Sequence, residues 1–221
     1  MHGVHCNLYR PRCGGIYGKE AEEVKKYELT SETKVFLGKT LYRIKALVQF
    51  GNVNAGDLGG WIEKEENLSQ SGNAWVYGNA WVYGDARVSG DAWVYGNAEV
   101  YGNAVVDGNA RVSGNARVSG NAEVYGNAEV SGNARVSGNA EVCKIGTVFW
   151  IGAIGSRNGT TTFFRCKDGK IYVSCGCFLG DLEEFSDKVK QTHGDNEHGR
   201  VYMLAIEMAK ARIVEEKNEV H

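Results

Sequence analysis

Gly72-Asn73-Ala74-Trp75-Val76-Tyr77-Gly78-Asn79-Ala80-Trp81-Val82-Tyr83 opens a run that continues to Cys143, with glycine at every sixth position from 72 to 138. Each of the twelve units reads Gly, then Asn or Asp, then Ala, a variable residue, Val, and a second variable residue. A fixed short period of this kind means one small unit stacked on copies of itself. Ala and Val are two residues apart, so in an extended segment they share one face and the variable residues take the other. Ala and Val are therefore the interior. The Gly-Asn or Gly-Asp pair turns the chain, because glycine accepts positive φ freely and Asn and Asp tolerate it better than other residues. A helix fails on both counts: a six-residue period does not keep one face inward, and the breakers recur too often.

On these residues, from Glu66 to Cys143, the array resembles the hexapeptide-repeat, left-handed parallel β-helix family. The resemblance implies three units per triangular coil, about four to five coils roughly 4.8 Å apart, and a homotrimer as the assembly. Residues one coil apart then stand in columns. One face carries Trp75, Trp93, Arg111 and Glu129, the next Trp81, Glu99, Arg117 and Arg135, and the third Arg87, Val105, Glu123 and Glu141. Trp75, Tyr77, Trp81, Tyr83, Trp93 and Tyr95 make an outward patch larger than a monomer normally exposes. It is expected to be an oligomer interface, with a planar ligand such as a nucleobase as the other reading.

The 221-residue chain is 43% hydrophobic, enough for a sizeable core in two or three parts. A net charge of -2 gives no basis for general nucleic-acid or anionic-membrane binding. No segment approaches the roughly eighteen apolar residues of a membrane span. The expected location is cytoplasmic, the host cytosol if a phage encodes the chain, and the six cysteines should then be thiols.

Four parts follow in order: a leader over 1–25, a β cap over 26–65, the repeat over 66–143, and an α+β domain over 147–221. The fold class is thus mainly β. His2, His5, Cys6 and Cys13 in the leader match no standard zinc spacing, and no metal is assigned. Gly59-Gly60-Trp61-Ile62 feeds the first coil, with Trp61 expected to plug its open end. After the repeat, the apolar segment 147–154 reads as a strand buried on both faces. Segments 160–166 and 171–177 form a hairpin about Asp168-Gly169. Pairing Cys166 with Ile171 and Phe164 with Val173 would put Phe164, Cys166, Ile171, Val173, Cys175 and Cys177 on one face. Asp181 and Glu184 form a capping box for a helix that Gly194 ends. A second helix is expected over about 200–214, with Leu204, Ala205 and Met208 inward. Ser174-Cys175-Gly176-Cys177-Phe178 and the Gly59-Gly60-Trp61-Ile62 feeder resemble modules flanking such arrays in uncharacterised phage and prophage proteins.

Hexapeptide-repeat proteins are best known as acyltransferases, in which a histidine by the coil serves as general base. Here no histidine lies between His5 and His193, and the coils carry no inserted loop. The carbonic-anhydrase branch, which needs three coil histidines for zinc, is left out on the same ground. No catalytic residue and no cofactor is assigned. Arg157, Arg165, Lys167 and Lys170, with His193, His198 and Arg200 of the interhelical loop, are the candidate ligand-binding residues for an anion, set against a plain solvated surface. The expected function is a non-enzymatic oligomeric binding protein of phage origin. It would antagonise a host defence by binding a host protein or sequestering a nucleotide-like signal. The alternatives are an acyltransferase using His193 or His198, and a structural virion or scaffold protein.

Overall fold

A computed structural model describes residues 24–144 and 146–213. Expectations for the leader's His2, His5, Cys6 and Cys13, and for Val214, lie outside the described residues. The repeat forms a parallel β-solenoid of twelve two-residue strands, β4 (Trp75–Val76) to β15 (Glu141–Val142). The paired Ala and Val of every unit are buried, while residues such as Arg111, Arg117 and Glu129 are exposed. Partners lie one coil apart in three parallel sheets, so the three columns stand as expected: Trp75 to Glu129, Trp81 to Arg135, and Arg87 to Glu141. Each coil hangs from the next by backbone bonds such as Trp81 N to Ala98 O and Glu99 N to Ala116 O, both 2.9 Å.

Gly108 shows why the repeat needs glycine. Its φ is +66°, and a Cβ there would lie 2.9 Å from the amide nitrogen of Gly126 on the next coil. The following Asn does a different job from the one its turn propensity suggests. No Asn of the repeat has positive φ; instead their amides form ladders along the solenoid corners. Asn97 donates to Asn115 at 3.2 Å and Asn115 to Asn133 at 3.1 Å, with a parallel ladder through Asn103, Asn121 and Asn139. Stacked amides of this kind add side-chain pairing to the backbone ladder.

The N-terminal end is closed by the hairpin of β1 (Tyr27–Phe36) and β2 (Lys39–Ala46) and by β3 (Leu58–Ile62). β3 pairs antiparallel with β2 and parallel with the Trp81 strand, so the cap sheet runs directly into one solenoid sheet. This register aligns Trp61 with Trp81 and Ile62 with Val82. Ile62 therefore points into the coil, and Trp61 does not plug it. Trp61 lies outside, buried with Leu41 and Tyr83 under Lys34, whose Nζ stands 4.0 Å from the ring centroid. Gly59 admits Trp75 to the end of the coil, since a Cβ would come within 2.7 Å of the Trp75 ring and 2.5 Å of Ile44. The indole Nε1 atoms of Trp61 and Trp75 are buried there without a hydrogen-bond partner among the described residues, while other buried polar groups are matched. Lys26 Nζ donates to the carbonyls of Ser71, Gly72 and Ala74, and the single Tyr27 OH proton is shared between the carbonyls of Leu68 at 2.7 Å and Glu65 at 2.9 Å. Asn67, fully buried, donates to Gly84 O and Ala86 O and accepts from the amides of Glu63 and Lys64.

At the other end a small antiparallel sheet, β16 (Val148–Ile154), β17 (Gly159–Arg165), β18 (Ile171–Cys175) and β19 (Phe178–Asp181), carries α1 (Leu182–His193) and α2 (Glu197–Arg212) on one face. The hairpin exists, but its register differs by one residue from expectation: Arg165 faces Ile171 and Phe163 faces Val173. The cause is the loop. Lys167-Asp168-Gly169 is a three-residue turn with Gly169 at φ +79° and Cys166 N bonded to Lys170 O, a glycine-bulge hairpin. A one-residue slip exchanges faces. Phe163, Ile171 and Val173 therefore meet the helices, while Phe164 and Cys166 turn to the solenoid. Cys166 and Cys175 lie on opposite faces, and Arg165 shares the helix side with Cys175.

Three further corrections follow from the same sheet. The strand after Ile171 stops at Cys175, because Gly176-Cys177 is a two-residue turn with Gly176 at φ +60° that starts β19. β16 is an edge strand, mostly half-buried rather than covered on both faces. In α2 the inward residues are Tyr202, Ala205, Ile206 and Ala209, whereas Leu204 and Met208 are exposed. The capping box of Asp181 and Glu184 and the Gly194 end of α1 are as expected. The sheet closes the solenoid: Thr162 Oγ1 accepts from Arg135 N at 2.9 Å, Cys166 bridges Ala140, and the Trp150 ring lies on the Gly132 turn.

Candidate functional site

An open groove of about 840 Å³ lies between the two helices and the sheet edge. The capping box fixes the start of α1, and the Asn196 side chain, accepting from Gly199 N, fixes that of α2. The two helices then lie side by side over the sheet. Ile171, Leu182, Met203, Ile206 and Ile213 give the groove an apolar floor, and Lys170, Lys190 and Lys210 stand around it. Each of these lysines is paired to a carboxylate: Lys170 to Asp181 at 3.0 Å, Lys190 to Asp187 at 3.6 Å and Lys210 to Glu207 at 3.0 Å. The amides of the first helical turn, Glu184 first, and then Lys170 hold the Asp181 carboxyl below its ordinary pKa. The groove thus offers apolar area and polar edges with little spare positive charge.

Of the candidate ligand-binding residues only Lys170 lines this groove. Lys167 reaches back to Glu123 of the solenoid at 2.7 Å, and Arg157 is exposed between β16 and β17. Arg165 is half-buried on the helix side, its amide bonded to Thr147 O. Arg200 donates to the Asp195 carbonyl at 3.0 Å. The His193 and His198 rings stand 5.7 Å apart, and His193 lies 5.7 Å from the ring of Tyr202, so the imidazoles pack at the interhelical corner. Sequence reasoning misses Met203, Ile206 and Ile213. Met203 and Ile206 lie three apart on α2 and Ile213 caps its end seven residues on, a stripe hidden by setting the helix phase on Leu204 and Met208.

The outward aromatics divide. Trp75 is fully buried beneath Tyr27 and Phe50 of its own chain, with centroids 6.1 and 5.3 Å away. Tyr83 is buried too, stacked on Tyr101 at 5.1 Å and edged by Phe36. These two are covered by the cap and its neighbours, which corrects their assignment to a subunit contact. Trp81 is half-buried against Phe36, and Tyr77, Trp93 and Tyr95 keep partial exposure.

Among the described residues no group of three or more His, Cys, Asp or Glu is placed to hold a metal, and no helix is long and apolar enough to cross a membrane. Cys143, Cys166, Cys175 and Cys177 are free thiols. Burial, then the nearby Asp168, pushes the Cys166 thiol up to about 12, which makes it unreactive at neutral pH. Tyr202 OH is likewise raised to about 12, by burial and by its contact with Cys175.

Comparison with known proteins bears on the solenoid. A family model described as the YdcK beta solenoid repeat matches residues 80–96 and 110–126. The chain is also 37% identical over 62 residues to the "Uncharacterized acetyltransferase YdcK" of Escherichia coli (strain K12). That alignment covers 24% of this chain and 19% of the relative, so the chain spans about a fifth of the length of the relative it matches. The similarity is to a repeat-built β-solenoid.

Proposed function

We propose that the chain is a non-enzymatic, homo-oligomeric binding protein, a trimer, whose solenoid is a rigid spacer and whose C-terminal groove receives an apolar segment of a protein partner. The observation that carries this reading is the groove itself: an apolar floor open between two helices, with all three rim lysines already neutralised. Such a surface favours a protein ligand over a nucleotide, whose phosphates need unpaired cations. The phage-like flanking motifs support a host protein as the partner and interference with a host defence as the effect.

Acyl transfer is the second reading, favoured by the name of the Escherichia coli relative. Its general base would be His193 or His198, packed at the interhelical corner.

Native mass spectrometry of protein isolated from producing cells tests the proposal. A companion polypeptide should accompany the wild type and Lys167→Glu, and should be lost from Met203→Asp. Retention by Met203→Asp removes the groove from the reading. Conversion of acetyl-CoA to CoA in the presence of the companion replaces binding with catalysis.

A further inference from the structure

Charges are not shuffled among the three columns. On the Trp81 face, Arg117 stands in register over Arg135; on the next face, Glu123 stands over Glu141. Like charges at partnered positions one strand apart repel. The third face avoids this, with Arg111 over Glu129. The chain therefore holds a double cation and a double anion on adjacent faces at the same two levels. Relief within the chain is partial. Glu99 accepts from Arg117 at 3.0 Å, Lys167 reaches Glu123 at 2.7 Å, and Tyr125 OH donates to Glu141. Arg135 has no ion pair among the described residues.

Adjacent faces differ in height by a third of a coil, about 1.6 Å, so residues of one turn lie almost level. Two copies set side by side with parallel axes then match level by level: Trp81 against Arg87, Glu99 against Val105, Arg117 against Glu123, and Arg135 against Glu141. The first is a cation–π pair, and the last two are opposite charges. The other pairings each contain a like-charge pair. The Trp81 face on the Trp75 face sets Arg135 against Glu129 but Arg117 against Arg111, the Arg87 face on the Trp75 face sets Glu123 against Arg111 but Glu141 against Glu129, and each face on itself repeats its own charges.

We propose that the Trp81 face of one copy binds the Arg87 face of a second copy, with solenoid axes parallel. This rests on the reading of the chain as a homo-oligomer and names the surfaces that form it. The contact is heterologous, so it repeats from copy to copy until a ring closes. Both ends of each solenoid are covered by its own cap and sheet, which leaves the lateral faces for assembly.

Charge reversal and sedimentation test this. Arg117→Glu with Arg135→Glu, and separately Glu123→Arg with Glu141→Arg, should each raise the dissociation constant by at least about 100-fold, since like charges then face each other. Equal mixing of the two double variants should restore assembly as one-to-one heteromers. Arg111→Glu, on the third face, should leave the mass unchanged. β circular dichroism checks folding, and Arg135→Glu alone keeps the test if a double variant misfolds, because it breaks no internal ion pair among the described residues. A monomeric wild type overturns the oligomer reading and this proposal with it. An assembled wild type that ignores both reversals, or variants that fail to recombine, overturns the face assignment alone.

Discussion

The solenoid and the C-terminal sheet are both made of short strands closed by glycine turns, but they are specified differently. In the solenoid twelve copies of one unit state the same register, and a slip would have to move every Val off the axis at once. In the C-terminal sheet the positions of Gly169 and Gly176 decide where two turns fall, and each is stated once. Repetition makes a register robust; a lone turn leaves it resting on loop geometry.

The sharpest way to break the solenoid is from inside. Val112 is fully buried while its neighbour Arg111 is exposed. Val112→Asp places a carboxylate in a dry interior of Ala and Val and should cost more than about 4 kcal/mol, enough to lose the stack. Arg111→Asp should change stability by no more than about 0.5 kcal/mol. Chemical denaturation followed by β circular dichroism compares them, and equal damage would overturn the inward and outward assignment.

Glycine substitutions come next, and here the two regions should separate. Gly108 and Gly169 both have positive φ, +66° and +79°, but a Cβ at Gly108 meets the backbone of the next coil at 2.9 Å whereas Gly169 has nothing within 4 Å. Gly169→Ala should cost only the left-handed backbone penalty, about 1–2 kcal/mol. Gly108→Ala adds a clash with a backbone held in a ladder, for a total of roughly 2–4 kcal/mol. Equal losses in thermal unfolding would show that the coils give way and that close stacking is not what selects glycine.

The same contrast decides how much of the molecule is legible in its residues alone. Columns, interior and turn positions are legible because Gly, Ala and Val recur at fixed spacing. The capping box at Asp181 is legible because its chemistry is local. The burial of Trp75 and Tyr83 is not, because their cover, Tyr27, Phe50 and Phe36, comes from a cap distant in sequence. Trp61 reads as a plug inside the coil, yet its frame depends on pairing with Trp81, which no local pattern states. The groove is hidden for a comparable reason. Met203 and Ile206 become its floor only when α2 is phased against the sheet, and the exposed Leu204 and Met208 offer an equally apolar helical pattern.

The smallest expected effect is a pH response that splits the molecule end from end. At the N-terminal end burial lowers Lys26 from 10.5 to about 8, against a weaker pull from Asp91. Its folded pKa is below the unfolded one, so its contribution is complete above pH 10.5 and is lost as pH falls through 8. Tyr27 is raised above its usual 10, by burial first and then by Glu65 and Glu66. Its contribution is complete below pH 10 and is lost as pH climbs through the raised value. The cap should therefore tighten from pH 8 to about pH 10 and loosen beyond it. At the C-terminal end Asp181 is lowered below 3.8, so the start of α1 keeps its contribution above that pH and loses it as pH falls through the folded value. Hydrogen exchange resolved by segment should show 24–76 responding on the alkaline side and 178–193 on the acid side. Lys26→Met should flatten the rise from about pH 8 to 10 and leave the acid response of α1 intact. A single transition moving both segments together would mean that the rod couples its ends, and that repetition carries stability from one cap to the other.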